Sequence, residues 1–203
     1  SQGRGGRRCM GKGGGRKGGA SGSCVTKRRV GAATVHHWPN LLSPIESWTR
    51  FGTTSVDGPS TVCYVEGGES MKLSGAINGV KRLQCSIANK VSQGGIYVFG
   101  CWAKAENSLA SVDREYIGES GRYFGLLLTV VHGTGNAKSY YYASFDPHNT
   151  QWQQAAIVVD LGNEPVVQCY LEAIYSRNQG DAYFDRAFGA LTNGAIACTF
   201  DNH

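Results

Sequence analysis

The sequence predicts an all-β fold: an antiparallel β-sandwich of the jelly-roll kind, behind a flexible, basic, Gly-rich N-terminal arm. Three observations lead there. Segments with strand character, roughly ten of them, follow one another at about 8–15-residue spacing. No stretch carries the 3.6-residue apolar period of an amphipathic helix. Glycine is abundant, with 29 residues against 5 prolines, and there are 10 tyrosines, a balance suited to strands joined by tight turns.

Charge divides the chain in two. Residues 1–30 hold nine basic side chains, Arg4, Arg7, Arg8, Lys12, Arg16, Lys17, Lys27, Arg28 and Arg29, and no acidic one. Eleven basic and fifteen acidic residues remain beyond them, so a body of net charge −4 follows the arm although the whole chain carries +5. Residues 1–39 are therefore read as arm and linker, and 40–203 as one β domain. Residues 1–24 contain ten glycines and little apolar surface, too little to offset the entropy of ordering them without a partner. Such an arm either tracks the phosphates of nucleic acid electrostatically or serves as a solvated linker. His36 and His37 adjoin Trp38, but neighbouring residues of an extended chain point to opposite faces, which suits an edge or linker better than a metal site.

The body opens with Asn40-Leu41-Leu42, continues through Glu46 to Phe51, and turns through Asp57-Gly58-Pro59. Cys63–Glu66 reads as a strand ended by Gly67-Gly68, and Ser70–Ser74 alternates next. In Arg82–Ile87 the apolar face is Leu83, Cys85 and Ile87. Ile96–Ala105 is apolar almost throughout, as a central strand covered on both faces would be. An acidic loop follows, and then Tyr123–His132 and Ser139–Phe145 flank a hairpin-like connection at His132-Gly133-Thr134-Gly135-Asn136. Trp152–Val159, Val166–Tyr175 and Ala182–Phe188 complete the series. The core expected from these patterns is Leu83, Ile87, Val98, Leu127, Ile157, Val167, Leu171 and Phe184.

No apolar run approaches the length of about 18 residues needed to span a bilayer, and no signal-peptide pattern opens the sequence. The seven cysteines form no CxxC pair and lie at no zinc-ligand spacing from a histidine, while Cys85, Cys101 and Cys169 fall inside apolar strands as small hydrophobes. In Gly180–Phe188, strict alternation puts Tyr183, Asp185 and Ala187 on one face. Ala182, Phe184, Arg186 and Phe188 take the other. An aspartate among strand aromatics needs solvent, hydrogen-bond donors or a metal.

Taken in order, these segments resemble the jelly-roll carbohydrate-binding modules found beside glycoside hydrolases, in Rhs/YD-repeat proteins and in phage tail proteins. The resemblance covers about residues 40–190. Asn40-Leu41-Leu42-Ser43-Pro44-Ile45-Glu46-Ser47-Trp48 is similar to that family's opening, although Ile45 stands where it has Phe and the spacing is shorter. Gly67–Leu73, Leu83–Ile87, Tyr97–Ala105 and Trp152-Gln153 resemble successive strands, and Gly180–Asp185 matches "G-x-x-Y-F-D". The resemblance implies a structural Ca²⁺ near Glu46 and Asp185, whose hard carboxylate oxygens suit that ion; backbone N–H groups capping Asp185 without an ion are the alternative. It also implies a polysaccharide or cell-surface glycan as partner, held on aromatic faces. Trp48, Tyr123, Tyr140, Tyr142 and Trp152 are the candidates, Tyr140 and Tyr142 sharing one strand face, with core or cross-strand packing as the alternative for each.

No G-x-S-x-G, phosphate-binding loop, metal-ligand cluster or singled-out carboxylate pair supports an enzyme. The expectation is a non-catalytic glycan-binding or adhesion module on an extracellular or phage-tail surface. The alternative is a structural subunit of a virion or extracellular filament, assembling as a homo-oligomer, its arm contacting nucleic acid or neighbouring subunits.

Overall fold

The computed structural model describes residues 22–24, 40–91, 94–110, 121–133 and 135–192. Eleven strands form two antiparallel sheets: β1 (Gly22–Cys24), β2 (Thr49–Phe51), β3 (Gly58–Ser60), β4 (Ser70–Ser74), β5 (Val80–Ser86), β6 (Ile96–Ala105), β7 (Tyr123–His132), β8 (Lys138–Ser144), β9 (Gln153–Asp160), β10 (Val166–Ser176) and β11 (Asp181–Thr192). One sheet has six strands in the order β1-β9-β6-β11-β4-β3, and the other five in the order β2-β5-β10-β7-β8. Only short 3-10 turns, Ile45–Ser47 and Ala88–Lys90, interrupt the β structure of the described residues. This is the predicted sandwich. Among the described residues no helix is long and apolar enough to cross a membrane.

Alternation builds the core. Leu83 and Cys85 of β5, Tyr97, Phe99 and Cys101 of β6, Phe124, Leu126 and Leu128 of β7, and Leu171 and Ala173 of β10 all enter one cluster between the sheets. β6 is covered on both faces, its outward Val98 and Trp102 being buried as well. β7 and β8 form the expected hairpin, pairing Leu127 with Tyr142 and Thr129 with Tyr140. Cys63, Cys85, Cys101 and Cys169 are free thiols.

Several expectations are corrected. Residues 61–69 form a loop rather than a strand, and they cross the outer face of the six-stranded sheet, where Cys63 and Val65 pack on Trp102, Trp152 and Tyr183. Val167 is 51% exposed, not core, because the β10–β7 register shifts between Val166 and Gln168. That bulge inserts one residue and turns Val167 outward. A second register shift, between Asp185 and Phe188 on β11, inverts the face of everything after it. Arg186 takes φ +48° there. Ala187 therefore joins Ala182 and Phe184 in the core instead of sharing the side of Tyr183 and Asp185.

Within the stretch assigned to the arm, Gly22–Cys24 pairs antiparallel with β9, so the backbone of these three residues belongs to the sheet. The arm's nine basic residues (Arg4, Arg7, Arg8, Lys12, Arg16, Lys17, Lys27, Arg28 and Arg29), His36, His37 and Trp38 lie outside the described residues.

Candidate functional site

The five-stranded sheet turns successive rows of side chains away from the core. Register places Gln84 of β5 beside Glu172 of β10, Glu172 beside Leu127 of β7, and Leu127 beside Tyr142 of β8. The next row is Ser86, Tyr170, Thr129 and Tyr140. At a strand separation of about 4.8 Å the five strands make a platform about 19 Å across. Tyr140 is exposed and Tyr142 and Tyr170 are half-buried, so the face is wettest along the Tyr140 row.

Glu172 is the chemically unusual member. It points outward yet is only 5% exposed, flanked by buried Leu127 and Ile174. Its Oε2 lies 3.3 Å from Arg82 Nη1, and the Arg82 guanidinium stands 5.1 Å from the centre of the Phe51 ring. Burial pushes the Glu172 carboxyl above its ordinary value, although Arg82 and the Gln84 amide pull in the other direction. Here a carboxylate, a guanidinium and an amide are held beside tyrosine rings, a set able to accept from and donate to hydroxyl groups while an apolar ring face rests on the aromatics.

The five aromatics expected to hold glycan do not share one place. Tyr140 and Tyr142 lie together on this platform as alternation predicts. Tyr123 is fully buried behind them: its ring meets Tyr142 edge-on at 6.3 Å and its hydroxyl donates to the Leu126 carbonyl at 3.0 Å. It lies flat over Gly125, where a Cβ would fall 2.5 Å from the Tyr123 ring. Trp48 is a core residue whose indole N–H donates to the Ser43 carbonyl at 2.9 Å. Trp152 is buried against Trp102 and Tyr183 under the 61–69 loop. None of these three can present a ring to a soluble chain, because each is covered by its neighbours. Arg82, Gln84, Tyr170 and Glu172 were not expected at the site; alternation turns them outward, but only the register sets them on the same face as Tyr140 and Tyr142.

A second concavity, about 330 Å³, opens on the outer face of the six-stranded sheet at the β11 bulge. Glu46 and Asp185 both line it, together with Trp102, Gln154, Arg186 and Phe188. Asn40 positions this end of the chain: its Oδ1 accepts from the N–H groups of Leu42 and Gly189, and its Nδ2 donates to the Ala187 carbonyl. Asp185 is 4% exposed. The N–H groups of Val65 and Glu66 donate to its Oδ2 at 2.7 and 3.2 Å, and that of Arg186 to its Oδ1 at 2.7 Å. A carboxylate offers about four acceptor positions, so roughly one is left. Among the described residues no group of three or more His, Cys, Asp or Glu side chains is placed to hold a metal. Two hard carboxylates on one cavity fit calcium in kind, with main-chain carbonyls and water needed for most of its six to eight ligands.

No protein-family model and no curated protein matches this chain. Solved structures do. The xylan-binding domain CBM22-1 of Paenibacillus barcinonensis Xyn10C is 14% identical, with a TM-score of 0.53 over 78% of this chain and 97% of that one. The CBM22-1–GH10 modules of Clostridium thermocellum Xyn10B, in complex with xylohexaose, are 11% identical with a TM-score of 0.52, over 76% of this chain and 28% of theirs. The enzymatically active domain of tailspike protein 4 of bacteriophage CBA120 is 13% identical with a TM-score of 0.50, over 73% of this chain and 20% of that one. At such identities the similarity is one of fold: this chain has the jelly-roll sandwich of carbohydrate-binding modules.

Proposed function

We propose that this chain is a non-catalytic glycan-binding module of an extracellular or virion surface, and that the outer face of the five-stranded sheet carries the glycan. One observation supports this most directly: Tyr140, Tyr142 and Tyr170 share that face with Gln84 and with the Glu172–Arg82 pair. Sugars combine apolar C–H faces with hydroxyls that donate and accept, and the platform offers a complement to both. The xylan-binding neighbour of the same fold makes xylan the first polysaccharide to try.

Affinity electrophoresis of the full chain through gels containing xylan, β-glucan, galactan or mannan tests the proposal. At least one polymer should retard the protein, and a Tyr140→Ala, Tyr142→Ala double variant should lose most of that retardation while remaining folded. Glu172→Gln should weaken binding through the loss of a charged acceptor, by about tenfold for a hydrogen bond worth roughly 1.4 kcal/mol. Free migration in every gel would remove the glycan-binding reading.

A structural calcium at Glu46 and Asp185 belongs to the same proposal, supported by the meeting of these two carboxylates on one cavity. An ion bound only by the folded state adds about 2.7 kcal/mol at a hundredfold excess over its dissociation constant. Chelation should then lower the melting temperature, and Asp185→Asn should abolish that response. An unchanged melt in chelator leaves Asp185 as a carboxylate held by main-chain N–H groups alone.

A further inference from the structure

Calcium would use two of the groups around the β11 cavity and leave its amide and its rings without a role. Across the outer face of the six-stranded sheet, register sets Asp185 beside Trp102 and Trp102 beside Gln154. Gln154 is 6% exposed and lines the cavity, yet its side-chain amide makes no hydrogen bond to another described residue. Its neighbour Gln153 shows what a structural glutamine looks like in this fold. Gln153 Oε1 accepts from the Asp146 N–H, and its Nε2 donates to the carbonyls of Asp146 and Asn149. One residue along, on the opposite face of the strand, the same amide is held in the cavity without such partners.

Beside Gln154 the cavity carries two aromatic residues, Trp102 and Phe188. Trp102 is 7% exposed. Phe188 lies over Gly100, where an added Cβ would fall 2.5 Å from the ring, so only a bare backbone lets the ring settle against the sheet at this point. Ala187 and Ala190 keep the space beside it open. The charges on the rim discriminate. Glu46 and Asp185 disfavour an acid, while Arg186, itself paired with Glu66 at 2.9 Å, disfavours an organic cation. A neutral ligand with an apolar face and hydroxyls at its edge meets the Phe188 ring and the amide together, since an amide donates and accepts as a hydroxyl does.

We propose that this cavity is a second carbohydrate site, on the sheet opposite the platform, that takes one neutral pyranose, the terminal unit of a glycan, with its C–H face on the half-buried Phe188 ring and its hydroxyls on Gln154, above Trp102. A volume of about 330 Å³ lies at the small end of ligand pockets, which span about 300–1,000 Å³, and suits a single ring rather than a chain. The platform would bind along a polymer and the cavity would bind its end. The site stands on different residues from the platform, so either can fail alone.

The test is a titration of the ¹⁵N-labelled full chain with the methyl β-glycosides of xylose, glucose and galactose, read at the indole N–H resonance of Trp102, which a Trp102→Phe variant assigns. At least one glycoside should shift that resonance saturably. Gln154→Leu should weaken the effect at least tenfold, and so should Gln154→Asn, which withdraws the amide by one methylene and keeps its chemistry should the leucine variant fail to fold. The Tyr140→Ala, Tyr142→Ala double variant should leave the shift unchanged. No response from any of the three sugars, or a response that persists in Gln154→Asn, overturns the proposal. A shift abolished by the tyrosine substitutions assigns the sugar to the platform instead. A shift produced by calcium chloride, with none from sugar, makes the cavity a metal site only.

Discussion

Asp185 within β11 and Asp57 in the turn before β3 both satisfy a buried carboxylate, by different means. Asp185 takes three main-chain N–H donors, two of them from the 61–69 loop, and thereby pins that loop over Trp102. Asp185→Asn should lower unfolding free energy by about 1.5–3 kcal/mol, the range for hydrogen bonds to a charged group, read as a lower urea midpoint at unchanged slope. Asp57 instead meets Lys81 at 2.8 Å with both side chains almost fully buried, while accepting from the N–H groups of Thr54 and Ser74. Removing one partner of a buried pair strands the other, so Asp57→Asn should cost about 3–5 kcal/mol. Burial pushes the Asp57 carboxyl upward, but its bonds to Lys81, Thr54 and Ser74 outweigh that and hold it below its usual 3.8. A depressed folded-state value means stability that is present above pH 3.8 and lost as the pH falls through that lower value. The difference between parent and Asp57→Asn should accordingly shrink in acid melts below pH 3.8. Glu172 carries the opposite sign: its raised value makes its contribution fall as the pH rises above 4.5.

At the scale of the element, the bulges decide which residues face where. β10 buries Leu171 completely and leaves Val167 in solvent, four positions earlier on the same strand. Leu171→Ala should cost about 2–5 kcal/mol, and Val167→Ala should stay within about 0.5 kcal/mol, both read from denaturation midpoints. Strict alternation puts these two residues on one face, and so it does until an extra residue intervenes. A bulge leaves no mark on the apolar pattern, because it depends on what the partner strand offers opposite. On β11 the same effect both buries Ala187 and opens the cavity beside Asp185.

For the whole molecule, the prediction that matters concerns the arm and whether its cations engage polyanions. Removing residues 1–21 takes away six of the nine N-terminal cations and leaves β1 intact. The shortened chain should keep its melting temperature. Its affinity for single-stranded nucleic acid should depend less on salt, the slope of log K against log salt shrinking by about 0.7 for each phosphate that the arm had neutralised. Equal slopes for the two chains would show that the arm does not engage phosphates.

By itself the sequence determined the two-sheet antiparallel architecture, the apolar faces of β5 and β6, the β7–β8 hairpin and the shared side of Tyr140 and Tyr142. Each follows from a period of two or a turn, which neighbouring residues set among themselves. Only the tertiary structure decided that Trp48, Tyr123 and Trp152 are covered, that Asp185 is capped by a loop 120 residues earlier in the chain, and that Glu172 meets Arg82 across a separation of 90 residues. Those outcomes rest on strand order, register and bulges. They are settled by how distant segments pack together, about which a local alternation of apolar and polar residues carries no information.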